Sequence, residues 1–142
     1  EVKDGEKQNA GSIQLTFFDI FSDKTKQFGF KAVFPSGKVL ACLGDEPFNE
    51  KCRNFVQNCD YLMCEAFCLY SQKDIFKPYE KFHSTALDAG KLAESLFAKN
   101  LILYHTEDET LQTRKKTYTS EARTVFNGNI FVPDDFEVID LK

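Results

Sequence analysis

Four ionisable side chains in this 142-residue sequence have types and positions that could do chemistry: Asp45, Glu65, His83 and His105. The two histidines are the only ones in the chain. Carboxylates and imidazoles are the groups that move protons near neutral pH. Asp45 follows the apolar run "VLACLG", Glu65 lies late in "YLMCEAF", and His105 ends "LILYH". His83 stands in the loop after Glu65, where the chain enters a helix. If the three runs are neighbouring parallel strands, all four residues meet at one rim, beyond the carboxyl ends where α/β sheets gather function.

Each residue also has an ordinary explanation. Asp45 suits an N-cap or turn. His83 suits a loop histidine near a helix N-terminus, and His105 a satisfied histidine at a strand end. Glu65 is harder to dismiss. A carboxylate inside an apolar run needs a partner, because burying it alone costs several kcal/mol. The joint arrangement, rather than any one residue, raises the functional reading.

Other chemistries find less support. Ser84 and Thr85 beside His83 lack a surrounding Gly-x-Ser-x-Gly elbow. No glycine-rich phosphate loop is present. The five cysteines (42, 52, 59, 64 and 68) are separated by 9, 6, 4 and 3 residues and form no paired Cys-x-x-Cys. Cys64 and Cys68 read as buried structural residues. Their odd number in a chain that is not small and loop-rich favours a reducing, cytoplasmic setting.

The elements that must position these residues follow from patterning. Residues 1–12 read as a flexible arm or linker and 13–142 as one domain. Residues 13–20, 28–34 and 39–43 read as strands, the last two joined as a hairpin by "PSGK". Residues 49–58 have helical spacing, and 60–70 read as a strand buried on both faces. Residues 74–82 read as an irregular loop. Thr85 and Asp88 make a capping-box signature. Ala86, Ala89, Gly90, Ala93, Leu96 and Phe97 then mark the buried face of a helix. Residues 100–105 form a strand, 113–126 a helix, and 128–132 and 136–141 two last strands. The alternation predicts an α/β fold with a mainly parallel sheet preceded by an antiparallel meander.

Apolar residues make up 42% of the chain and charged residues 28%, a globular composition. With 15 Phe and no Trp, the core should be rich in phenylalanine. A net charge of −4 argues against a nucleic-acid surface, and "RKK" at 114–116 suits a solvated helix face. No run approaches the roughly 18 apolar residues of a membrane span.

Taken together, "LGDEP" at 43–47, "CDYLMCEAF" at 59–67, "FHSTALDAGKLAESL" at 82–96 and "NLILYHTED" at 100–108 resemble the C-terminal half of the metallo-β-lactamase fold, in its ribonuclease Z-like branch. The resemblance runs from about residue 13 to the C-terminus, with successive members of the set Asp45, Glu65, His83 and His105 standing 20, 18 and 22 positions apart. It implies half of an αββα sandwich, a mixed sheet with helices on its outer face. It implies a hydrolase using zinc or another divalent metal in a two-metal site, in which a metal-bound hydroxide attacks a phosphoester or related ester. Asp45 and His105 match metal ligands. His83 matches the residue that protonates the leaving group, and Glu65 matches its orienting partner.

The departures shape the expectation. The family's His-x-His-x-Asp-His motif and the half-fold carrying it are absent from this sequence. Phe21 and Ser22 stand where a further metal-binding histidine would be sought, and Cys64 replaces a histidine in "MCEAF". Asp45 and His105 alone are too few ligands for zinc. The chain therefore reads as the later portion of a longer hydrolase, with the missing half or a dimer mate covering its exposed sheet face. The other reading is a degenerate, non-catalytic domain kept for binding or assembly. The acidic balance favours a small-molecule phosphoester over nucleic acid as substrate.

Overall fold

The computed structural model describes residues 2–141. Glu1 and Lys142, the outer limits of the two regions expected from sequence, lie outside the described residues. Alternating apolar residues and tight turns build the first half. β1 (Lys7–Ala10), β2 (Ile13–Asp19), β3 (Phe28–Val33) and β4 (Val39–Cys42) form an antiparallel meander. Residues 7–10 therefore correct the flexible-arm expectation. Lys7–Ala10 pairs residue by residue with Ile13–Thr16, because Gly11 turns the chain in a left-handed conformation. All four residues of β1 are exposed, so backbone pairing holds this strand rather than side-chain burial.

Beyond β4 the pairing becomes parallel. β5 (Tyr61–Glu65), β6 (Asn100–Tyr104) and β7 (Asn129–Phe131) add in sequence order, completing a seven-stranded sheet ordered β1 to β7. The crossovers are α1 (Arg53–Val56) between β4 and β5, α2 (Lys73–Phe76) and α3 (Ala86–Ser95) between β5 and β6, and α4 (Arg114–Arg123) between β6 and β7. The helix expected over 49–58 is shorter, a 3₁₀ turn at Glu50–Cys52 leading into α1. The loop expected over 74–82 contains α2 and a 3₁₀ turn at Tyr79–Lys81.

α3 forms as its sequence signals. The Thr85 side chain accepts from the Asp88 backbone N–H, while the Asp88 side chain accepts from the Thr85 N–H. Ala86, Ala89, Gly90 and Ala93 are buried and small, so the helix packs closely on β5, β6 and α4. Phe97 departs from expectation. The helix ends at Ser95, Phe97 adopts φ 55° and its ring points outward, 71% exposed. The run 136–141 also departs, being irregular rather than a strand.

The helices cover one face of the sheet. Leu62, Cys64, Leu101 and Leu103 point into that layer with Val56, Ala93, Tyr118 and Phe126. Each such leucine contributes roughly 2 kcal/mol by leaving water. The alternate residues Leu40, Tyr61 and Ile102 join Phe30, Phe34, Met63 and Phe131 on the opposite face, which no helix among the described residues covers. Ile139 and Leu141 of the irregular C-terminal run pack there. Among the described residues no helix is long and apolar enough to cross a membrane.

Candidate active site at the carboxyl rim of the parallel strands

β4, β5 and β6 run parallel side by side, so their carboxyl ends share one rim. Gly44, with φ 77°, ends β4 and turns the chain into Asp45. The Tyr104 hydroxyl, at the end of β6, donates to the Gly44 carbonyl and ties the two outer strand ends together across β5. The Cys42 sulfur lies 3.6 Å from the same hydroxyl. Burial and these neighbours push the Tyr104 phenol far above its ordinary pKa, so it stays protonated as a tether.

Past Glu65 the central chain continues as Ala66, Phe67 and Cys68, held on both sides. On one side the Phe67 N–H donates to Ser84 O at 2.9 Å and the Ala86 N–H to Cys68 O at 3.0 Å. On the other the Ala66 N–H donates to Tyr104 O at 3.0 Å and the Glu107 N–H to Phe67 O at 2.7 Å. These bonds explain why two residues 22 positions apart meet. His83 and His105 approach from opposite flanks of Phe67, and their ring centroids lie 4.9 Å apart. The His83 ring stacks on Phe67, with centroids 5.0 Å apart and planes at 21°. His105 leaves β6 in the left-handed region, φ 54°, an uncommon conformation for a residue with a side chain.

Glu65 is 2% exposed. Its Oε1 accepts the Ser84 N–H at 2.6 Å, which aims Oε2 at His83 Nδ1, 3.6 Å away. Both facing atoms are buried and have no hydrogen-bond partner. Burial pushes the Glu65 carboxyl up to about 7, against the downward pull of its Ser84 bonds. Burial also lowers the His83 pKa, helped by nearby His105 and Lys24 and opposed by Asp45.

The structure thus brings all four predicted residues to one rim, but not equally. One donor atom each of Glu65, His83 and His105 lies within 4.8 Å of the others. That donor set, two imidazoles and a carboxylate, is of the kind that holds a catalytic zinc, and it includes two buried atoms without partners, so the residues fit a divalent cation. The Asp45 carboxylate lies outside that group, and Asp45 meets His83 through its backbone.

Three supporting residues were missed by sequence reasoning. Glu46 is buried and accepts the Ser22 hydroxyl at 2.6 Å, so Ser22 serves loop structure. Glu107 is buried, receives the Glu109 N–H at 2.5 Å and the Tyr118 hydroxyl at 3.4 Å, and fixes the turn after His105. Phe67 is one of 15 phenylalanines in the sequence, and nothing local marks it as the plate under His83. Phe21 is 38% exposed and left-handed, with Lys51 Nζ 4.5 Å from its ring.

No family model matches the chain. It is 33% identical over 98 residues to the ribonuclease Z of Bacillus cereus (strain AH187), a match covering 69% of this chain and 31% of that protein. Among solved structures it is similar to the metallo-β-lactamase fold protein YhfI from Bacillus subtilis. The TM-score there is 0.77 at 20% identity, over 93% of this chain and 51% of that one. It is also similar to Zn²⁺-bound PqqB from Methylobacterium extorquens, with a TM-score of 0.71 at 12% identity over 99% of this chain and 51% of that one. The chain spans about a third of the length of the curated relatives it matches. It therefore carries part of the metallo-β-lactamase fold and is a partial-length homologue of ribonuclease Z.

Proposed function

We propose that this chain supplies one portion of the active site of a metal-dependent hydrolase acting on a phosphoester, with a phosphodiester the first class to test. The observation that carries the reading is the convergence of Glu65, His83 and His105 at the carboxyl rim of three parallel strands. The resemblance to ribonuclease Z supports the same chemistry.

In this reading Asp45 and His105 would be this chain's contribution to the ligands of zinc or a similar divalent ion, with the remaining ligands supplied by the portion of the fold outside this sequence. A bound cation supplies Lewis-acid polarisation of the phosphoryl oxygen and lowers the pKa of a water. Glu65 orients His83, and His83 gives a proton to the leaving oxygen. Burial raises the Glu65 carboxyl to about 7 and lowers His83, so the carboxyl facing the ring keeps its proton to higher pH than an ordinary glutamate. An acid beside a leaving group needs such a reservoir. Phe67 holds the ring plane in place. The uncovered sheet face, with Phe30, Phe34 and Met63 half-buried, suits a further portion of the same protein or a dimer mate. All five cysteines are free and four are buried, which supports a cytoplasmic setting.

The test is turnover of bis-p-nitrophenyl phosphate by the protein carrying this chain, with Zn²⁺ or Mn²⁺ added. His83→Ala should cut kcat by about 10²- to 10⁴-fold with little change in KM, and His105→Ala should abolish turnover. Activity that survives both substitutions sinks the reading. One observation favours a second reading, a non-catalytic domain: Phe21 and Ser22 occupy the loop where a further histidine ligand was sought, and Ser22 is committed to Glu46. No turnover with any divalent metal would support it.

A further inference from the structure

We infer that Glu121, on α4 and away from the strand rim, is a positioning residue for His83: one of its carboxylate oxygens pins both ends of the chain excursion that delivers the imidazole. The effect on rate rests on the hydrolase reading above; the effect on the placement of His83 does not.

The excursion is residues 69–84. The chain leaves the sheet at Cys68 and returns at Thr85, and these two residues form an isolated parallel bridge. Between them lie a 3₁₀ turn at Tyr70–Gln72, then α2, then the 3₁₀ turn at Tyr79–Lys81, with His83 just before the return. Among the described residues of 69–82 only Pro78 is buried, and Ile75 is 73% exposed. Little apolar burial holds this segment down, and such segments open at low free-energy cost. Its placement therefore depends on polar contacts at its base.

Glu121 supplies such contacts on both sides. Its Oε1 accepts the Tyr70 N–H at 2.7 Å and the Leu87 N–H at 3.1 Å, and its Oε2 accepts the Ser71 N–H at 3.5 Å. Tyr70 and Ser71 open the excursion, and Leu87 lies just past its close. The first N–H groups of a helix have no partner within it. In α3 the Ala86 N–H goes to Cys68 O, the Asp88 N–H to Thr85 Oγ1, and the Leu87 N–H to Glu121. A carboxylate suits that place, because a charged acceptor strengthens each bond and a helix N-terminus favours negative charge.

The reach across from α4 follows from close helix packing. Gly90 of α3 meets Ala122 of α4 without a side chain, and an added Cβ would stand 2.9 Å from the Ala122 carbonyl oxygen. Glu121 is the residue before Ala122. The consequence passes to His83 through the excursion itself: the His83 N–H donates to Pro78 O at 2.9 Å, and the Tyr79 hydroxyl donates to Asp88 Oδ2 at 2.8 Å. A base that loosens carries residues 78–83 with it, while Glu65 and Phe67 stay with the sheet. A displacement of about 1 Å in a reacting group costs on the order of 100-fold in rate. Within the sequence "TSEAR" Glu121 reads only as a solvated helix residue.

The experiment compares Glu121→Ala with Glu121→Gln in the protein carrying this chain. Alanine removes every acceptor, whereas glutamine keeps one carbonyl oxygen to serve both Tyr70 and Leu87. The readouts are long-range ¹H–¹⁵N imidazole spectra, with His83 assigned from a His83→Gln sample, amide exchange over 69–84, and turnover of bis-p-nitrophenyl phosphate. Glu121→Ala should shift or broaden the His83 signals, speed exchange across the excursion, and lower kcat about tenfold or more with KM within about twofold. Glu121→Gln should stay close to wild type in all three. Tyr70→Pro deletes the donor of the shortest bond and leaves α4 untouched. Leu69 already has the extended backbone that precedes proline, φ −70° and ψ 145°, and proline suits the first position of a helical turn. It should match Glu121→Ala, while Tyr70→Ala, which keeps the N–H, should match wild type. Circular dichroism checks folding, and Tyr70→Pro decides the matter if Glu121→Ala unfolds. A folded Glu121→Ala protein with wild-type His83 signals and kcat overturns the inference. So does a Glu121→Gln protein as impaired as Glu121→Ala. Wild-type protein that turns over no phosphodiester discards the hydrolase reading, and the His83 signals then decide this inference alone.

Discussion

Glu65 Oε2 and His83 Nδ1 face each other across 3.6 Å at the carboxyl end of β5, and neither atom has another partner. The relationship has a pH signature. Glu65 in the fold titrates near 7, above its ordinary 4.5. Its contribution to stability is therefore fully present below about pH 4.5 and is lost as pH rises toward 7. His83 is lowered, so its own contribution is present above 6.5 and is lost as pH falls through the folded value. Glu65→Gln removes the first of these. Between pH 4.5 and 7.5 the variant should gain on the wild type by about 3 kcal/mol, the order set by a shift of two to three pKa units. Urea denaturation at the two pH values checks this, and an unchanged difference would place the Glu65 carboxyl in an ordinary environment.

Phe67 fixes the plane of the His83 ring by stacking. Phe67→Ala should free the ring without removing any titratable group. Hydrolysis should fall at least tenfold in kcat, and the His83 ring signals in ¹⁵N-correlated spectra should broaden or shift. Phe67→Tyr, which keeps the stacking surface, should restore both.

Gly90 tests packing against propensity. A glycine within a helix ordinarily costs up to about 1 kcal/mol relative to alanine. Here an added Cβ would sit 2.9 Å from both the Ala122 carbonyl oxygen and Val125 Cγ2 on the facing α4 segment. Gly90→Ala should destabilise the fold by about 1–3 kcal/mol, the range of overpacked cores. A thermal melt higher than wild type would show that α3 and α4 can separate freely.

The cap of α3 sets the position of His83, two residues before it. Thr85→Ala removes one half of a reciprocal cap in a buried place and should cost about 1–2 kcal/mol in urea unfolding. Thr85→Ser keeps the hydroxyl and should recover most of that loss.

The sequence by itself determined the order and type of most elements, because their signals are local. The period of the α3 face, the Thr85–Asp88 box, the "PSGK" turn and the apolar strands depend on neighbours in the chain. It also put Asp45, Glu65 and His105 at three strand ends, since an apolar run that stops at a polar residue is visible without coordinates. Its misreadings fell where side chains had to report long-range pairing. Residues 7–10 carry no burial pattern, and only the β2 backbone makes them a strand. Residues 136–141 look like a strand, yet they are irregular and lay Ile139 and Leu141 on the open sheet face instead. Phe97 fits the helical period but falls past the last turn. What only the tertiary structure decided is which of the four rim residues touch. The parallel register of β5 with β6, together with the bonds flanking Phe67, carries His83 and His105 to within one ring of each other and turns Glu65 toward His83. The Asp45 carboxylate, just past β4, stays outside the group, a distinction that residue spacing along the chain does not encode.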